Sequence, residues 1–233
     1  MRGRIYERRA DLSFYGKYLI YFAMNGRWQG PAKGSWTAIS RAPYLKAITL
    51  LPKGDCWNGG GLFVARDRYW LNDGYGHDIA QESREVLRDP VYQPQGGSGN
   101  ECLSVYYPRL LRDGWQFVES RDRTPVGARW PVNIDIFEKA FVDGWSLRKL
   151  ACSGLEHRAG TGCYWDEHEL VHPGREVAVG LSKWKWAEVD GPRLVWAEDG
   201  ALHSGRVNES GLCKITLLAD FNAMEFEAIA APY

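Results

Sequence analysis

Hairpin turns recur along this chain, and they restrict its fold more than any other feature. The apolar run 18–22 leads into Asn25-Gly26 and out through Arg27-Trp28. Leu110-Leu111 leads into Asp113-Gly114 and out through 115–118. The run 140–142 leads into Asp143-Gly144 and out through 145–147, and 194–197 leads into Asp199-Gly200 and out through 201–203. Asn-Gly and Asp-Gly between apolar runs favour a type I′ turn, because both central residues then need positive φ. A fifth hairpin is expected at 62–64, turning around 66–68 and returning through 69–71.

The turn centres are about 42, 46, 30 and 56 residues apart, a mean close to the ~40–45 residues of a four-stranded propeller blade. Further strands are expected at 36–39, 46–51, 176–181 and 212–218, and an alternating one near Met224, Phe226 and Ala228. Runs such as 18–22 are continuously apolar, which suits strands covered on both faces. A short helix is expected over 79–87, stopped by Arg88-Asp89-Pro90. The glycine-rich stretch 93–100 is a loop, and strands continue on both sides of it. The expected architecture is all-β: one β-propeller domain over 1–233, of about five four-stranded antiparallel blades.

The segment Ala10-Asp11-Leu12-Ser13-Phe14-Tyr15-Gly16-Lys17-Tyr18-Leu19-Ile20-Tyr21 resembles the blade-opening segment of TolB-type and WD-repeat-like propellers. Those families show Ser-Pro-Asp-Gly-Lys-Tyr before an apolar strand, and here Phe14 and Tyr15 stand in place of Pro and Asp. The segment Arg193-Leu194-Val195-Trp196-Ala197-Glu198-Asp199-Gly200 is similar to the later hairpin of such a blade. The resemblance implies a propeller fold and carries over no catalytic residue, since propellers host unrelated functions.

Composition narrows the partners. Basic and acidic residues balance at 29 each, so no bulk attraction to nucleic acid or to an anionic membrane is expected. The basic cluster Arg2, Arg4, Arg8 and Arg9 reads as a frayed, solvated N-terminus. No apolar stretch approaches the ~18 residues of a membrane span, and no hydrophobic segment follows the N-terminal arginines. Five cysteines without a CxxC pair suit buried, reduced thiols in a cytoplasm.

Two stretches carry candidate chemistry. In 70–78, Trp70, Asn72, Asp73, Tyr75 and His77 set rings beside amide and carboxylate groups on a glycine-rich turn; Trp57 lies in a second glycine-rich stretch. Rings that stack beside planar polar groups suit a sugar site. The other is His168-Glu169-Leu170-Val171-His172, an HExxH string. It binds zinc only on a helix, where i and i+4 share a face one turn apart. On a strand the two histidines stand about 13 Å apart at ~3.3 Å per residue, too far for one ion. A looser metal set would use His157, Cys163, His168 and His172. The expected function is a non-catalytic platform for a carbohydrate-like small molecule or a protein partner. The alternative is a hydrolase, either zinc-dependent around 157–172 or a two-carboxylate glycosidase drawing on Asp55, Asp73, Asp78, Asp113, Asp143, Asp166 and Asp199.

Overall fold

The computed structural model describes residues 3–96, 102–155, 162–225 and 227–233. Within them the chain is all-β, with four sheets of three to five strands. Each sheet is built from strands consecutive in sequence. The first runs β1 (Arg4–Leu12), β2 (Tyr18–Met24), β3 (Ser35–Arg41) and β4 (Ala47–Pro52), all antiparallel. The second holds β5 (Gly61–Ala65), β6 (Arg68–Leu71) and the short β7 (Leu87–Arg88), which joins β6 in parallel. Helix α1 (Leu103–Arg112) follows. The third sheet comprises β8 (Gln116–Asp122), β9 (Val132–Ala140), β10 (Ser146–Gly154), β11 (Tyr164–His172) and β12 (Val177–Gly180). The fourth comprises β13 (Trp186–Asp190), β14 (Arg193–Glu198), β15 (Ala201–Asn208) and β16 (Gly211–Asp220).

The chain groups into two compact units, one of Met1–Asp113 with Ala228–Tyr233 and one of Gly114–Glu227. The division falls after α1, and not within the 93–100 loop.

Turn chemistry explains which hairpins form. Asp143 and Gly144 have φ of 47° and 80°, and Asp199 and Gly200 have φ of 48° and 76°. Both pairs close tight turns between adjacent antiparallel strands, as type I′ geometry requires. The 66–67 turn joins β5 to β6 without a glycine. The other two glycine dipeptides do different work. Asn25 and Gly26 both donate to the Gly34 carbonyl, at 2.9 and 3.1 Å, and open a long loop that returns only at Ser35. Gly114, at φ 87°, follows the C-terminus of α1, where a left-handed residue ends a helix. Leu110 and Leu111 are therefore helical, not extended.

Two further expectations are corrected. The 79–87 run forms no helix: Ala80 and Gln81 hydrogen-bond to Leu50 instead, and β7 begins at Leu87. The described residues near the C-terminus form no strand around Met224 and Ala228. Tyr233 packs against the core of the first unit, and its hydroxyl donates to the Lys46 carbonyl at 2.8 Å and accepts from Arg41 N–H at 3.0 Å.

The apolar run of β2 is buried as its composition predicts. Ile20, Phe22, Ile39, Leu62 and Phe63 have no exposed surface, and each such side chain contributes about 1.5–3 kcal/mol. Arg112 of α1 ties the first two sheets together. It donates to both carboxylate oxygens of Asp11 and, at 2.7 Å, to the Phe63 carbonyl. Phe63 N–H also donates to Asp11 at 2.7 Å.

Arg2 lies outside the described residues and Arg4 is exposed in β1, but the other two arginines of the N-terminal cluster do not fray. Arg8 and Arg9 are buried within β1, Arg8 over the Tyr106 ring at 4.4 Å and Arg9 over Phe22 at 4.7 Å. Both flat guanidinium groups pack against rings, and that of Arg9 still donates hydrogen bonds to main-chain carbonyls.

Candidate functional site

Three loops share one end of the first unit: 25–34 after β2, 53–60 after β4 and 72–78 after β6. Strand direction puts them there, since the β1–β2, β3–β4 and β5–β6 turns all lie at the opposite end. The loops touch one another. Lys33 pairs with Asp78, and a Cβ at Gly74 would collide with the Asn58 side chain.

The 53–60 loop is fixed from below. The buried Arg9 donates to the Cys56 carbonyl at 2.9 Å and to the Asn58 carbonyl at 2.5 Å, on either side of Trp57. Trp57 N–H donates to Asp55 at 2.8 Å, and Asp55 accepts from the Lys53 ammonium at 3.0 Å. Asn58, Gly59 and Gly60 are all left-handed, with φ of 56°, 80° and 75°. A Cβ at Gly59 would strike the Phe22 ring, and one at Gly60 the Arg9 carbonyl. The glycines are required by this close approach. Held by these contacts, Trp57 stays 57% exposed.

The 72–78 loop is fixed by a buried polar chain. Asn72 exchanges main-chain hydrogen bonds with Gly59 and Gly60, at 2.9 and 3.0 Å. Asp73 accepts from His77 Nδ1 at 2.6 Å and from Arg88 at 2.7 Å. His77 Nε2 lies 3.1 Å from Thr37 Oγ1, which accepts from Gly60 N–H at 2.8 Å. The network assigns the tautomer: Nδ1–H donates to Asp73 and Nε2 accepts from Thr37. Burial holds the His77 pKa below its ordinary value although Asp73 favours the charged form, so the ring stays neutral. Burial also disfavours the charged Asp73, but the bonds from His77 and Arg88 prevail and lower its pKa. The order carboxylate–imidazole–hydroxyl matches an acyl-transfer nucleophile. Thr37, however, is 0% exposed, and no substrate reaches a hydroxyl in that position. The chain is structural; it joins β3 to two loops.

The six residues expected at a ligand site therefore divide. Asn72, Asp73 and His77 form the framework. Trp70 is half-buried in β6, edge-on to Tyr92 at 6.3 Å. Trp57 and Tyr75 face solvent, Tyr75 at 90% exposure with φ 67°, and the Lys53 ammonium lies 5.8 Å from its ring centroid. Sequence reading missed Trp28, a half-exposed ring that covers Gly34 in the neighbouring loop. The Asn25-Gly26 turn signal placed it on a strand and hid it. Sequence reading also missed Arg9 and Thr37, whose partners lie about forty to fifty residues away.

The histidine string lies on a strand. His168 and His172 belong to β11, paired with β10 along its length. Four residues of strand separate them by about 13 Å, which rules out a shared ion. His168 is buried, its Nδ1 3.2 Å from the Trp184 carbonyl, and its Nε2 has no hydrogen-bond partner among the described residues. Burial, with Lys149 opposite it in the register, lowers its pKa to about 4. His172 Nε2 donates to the Asp143 carbonyl at 3.0 Å, and its ring stands edge-on to Trp145. Glu169 pairs with Arg148 at 3.1 Å. Cys163 is exposed, and His157 lies outside the described residues. Among the described residues no three His, Cys, Asp or Glu side chains are placed to hold a metal ion. No helix among them is long and apolar enough to cross a membrane.

No protein-family model, no curated protein and no solved structure matches this chain.

Proposed function

We propose that this chain is a non-catalytic binding platform on propeller-like repeats, and that the loop end of its first unit takes a carbohydrate-like ligand. The carrying observation is the pairing of exposed Trp57 and Tyr75 rings with loops held by buried polar contacts. Rings presented on fixed loops lose little entropy on stacking, which favours affinity. The buried Lys53 ammonium pairs with Asp55 beneath them and helps hold the two loops in place. Four successive sheets of consecutive strands support the propeller reading. Free thiols at Cys56, Cys163 and Cys213 favour a reducing, cytoplasmic setting.

The loop carboxylates support binding over hydrolysis. Asp55, Asp73 and Asp78 are each committed to a cation or an imidazole, and a two-carboxylate hydrolase needs both groups open to the bond it cleaves. A protein partner is the second reading. It rests on β16, the last strand of its sheet, which exposes Ile215, Leu217 and Leu218.

Calorimetric titration against a panel of neutral mono- and disaccharides tests the proposal. One sugar class is expected to bind, and Trp57→Ala or Tyr75→Ala to weaken it by about tenfold with an unchanged melting temperature. A panel without binding, or variants that bind like the parent, would overturn it.

A further inference from the structure

The first unit carries a second concavity, at the end of its sheets opposite the Trp57 and Tyr75 loops. It lies where the β1–β2 turn and the β5–β6 turn meet the run that leads into β7, and it encloses about 350 Å3. That volume is in the range of small-molecule sites, roughly 300–1,000 Å3. Phe14, Tyr15 and Tyr18 supply aromatic walls; Lys17, Arg66, Asp67 and Glu85 supply charge.

The charges are not equally committed. Glu85 accepts from Arg41 Nε at 3.1 Å, from the Arg41 guanidinium a second time, and from Tyr18 Oη at 3.0 Å. The bond from Arg41 holds its carboxyl below the usual range, so the pair is neutral as a unit. Lys17 and Arg66 lie over ring faces, and Lys17 is also near enough to Glu85 to favour its charged form. The Lys17 ammonium lies 4.8 Å from the Tyr18 centroid, and Arg66 5.8 Å from that of Tyr15. Neither has a side-chain hydrogen bond or ion pair among the described residues. With Asp67 counted against them, the cleft keeps one net positive charge.

The aromatic wall is equally unspent. Tyr15 holds φ 73°, a conformation that costs a bulky L-residue and that Gly16 beside it, at φ 67°, adopts freely. Its ring is 91% exposed, and Phe14 is about half exposed. Phe14 also lies under the Arg112 guanidinium, 5.9 Å from its ring centroid, but a strained turn that holds the Tyr15 ring in water gains little for the fold, and such strain collects at ligand sites.

We propose that this cleft binds a small carboxylate carried on a ring, with the carboxylate between Lys17 and Arg66 and the ring against Phe14 and Tyr15. A sugar acid and an aryl acid share that chemistry. The site is separate from the Trp57–Tyr75 end and does not depend on the reading given to it.

Titration of the full chain with glucuronate and with benzoate, beside glucose and benzyl alcohol as neutral counterparts, tests this. At least one carboxylate is expected to bind about tenfold more tightly than its neutral counterpart. Arg66→Gln and Lys17→Gln should each weaken it by about tenfold, while Trp57→Ala leaves it unchanged. Glucuronate alone would identify a sugar acid, and benzoate alone an aryl acid. Tyr15→Gly should weaken binding without lowering the melting temperature, since it relieves the turn. Equal binding of the neutral counterparts, no binding of either acid at about 10 mM, or indifference to both cation variants would overturn the proposal.

Discussion

The tryptophan stack of the second unit and the loop tryptophans of the first are used in opposite ways, though the first also buries Trp36 and the second also exposes Trp130 and Trp186. In the second, Trp184 and Trp196 stack face to face, with centroids 4.4 Å apart, and Trp196 stacks in turn on His203. Trp115 is buried, with the Lys149 ammonium 4.7 Å from its ring, and its Nε1–H donates to Glu188 at 3.0 Å. In the first, Trp28 and Trp57 lie on loops with their rings in solvent. Each unit also buries a histidine. His77 has both nitrogens paired through Asp73 and Thr37; His168 has one paired through the Trp184 carbonyl. The lesson is one of placement. Rings stacked on one another within a sheet stabilise the fold, while rings on loops that are already held from below are free to meet a ligand.

Substitutions and changes of condition sharpen this contrast. The largest effect is expected from Trp196→Ala, which empties the middle of the stack and should cost about 3–5 kcal/mol in chemical denaturation. A loss below about 1 kcal/mol would place that ring outside the packing core.

Acid comes next. In the unfolded chain an imidazole takes up a proton near 6.5, whereas His168 does so only near pH 4 in the fold. The unfolded state therefore binds more protons between those values. The His168 contribution should fall as pH drops from about 6.5 to about 4, by about 3 kcal/mol, and change no further below, where carboxyls held low in the fold, such as Asp73, continue the loss. His77, shifted the same way by burial, adds to the loss. Urea unfolding at several pH values should show a shallower dependence in His168→Phe than in the parent; equal slopes would contradict the assignment.

Thr37→Val is expected to cost about 1–3 kcal/mol, because it leaves Gly60 N–H and His77 Nε2 buried without their partner. Loosening of the 53–60 and 72–78 loops should accompany the loss, read as faster amide exchange at Gly59 and Asn72. The smallest effects belong to exposed groups. Trp57→Ala and Tyr75→Ala should change stability by about 0.5 kcal/mol or less. Glu169→Gln, which breaks a half-exposed pair with Arg148, should cost less than about 1 kcal/mol. Zinc should not raise the melting temperature in an EDTA-reversible way.

The sequence carried the fold wherever the decisive interaction was local. Asp143-Gly144 and Asp199-Gly200 form the turns their dipeptides favour, because two residues of positive φ suffice. Asn25-Gly26 carries the same signal but opens a long loop, since the residues that pair with β2 begin only at Ser35. Helix α1 was hidden by Pro108 at the sixth of its ten positions. Its spacing of Leu103, Tyr106, Tyr107 and Leu110 is nonetheless helical, and Arg109 secures it to β1 by donating to the Ala10 carbonyl. The histidine string was legible as a choice between helix and strand, and pairing with β10 decided it.

The candidate site was half legible. Its rings and glycines stand together in sequence, but what holds them does not. Arg9 reaches Cys56 and Asn58 from 47 and 49 residues away, and Thr37 reaches His77 across 40. No local pattern announces such contacts, and a basic N-terminal run looks the same whether it frays or is buried.

The most direct measurement is a two-dimensional NMR titration of the tryptophan indole N–H signals with the sugar class that binds. The Trp57 signal, and with it the Trp28 signal of the adjoining loop, is expected to shift with the ligand while those of Trp115, Trp184 and Trp196 stay in place. Shifts confined to the second unit, or a Trp57 signal that ignores a ligand bound elsewhere, would contradict that expectation.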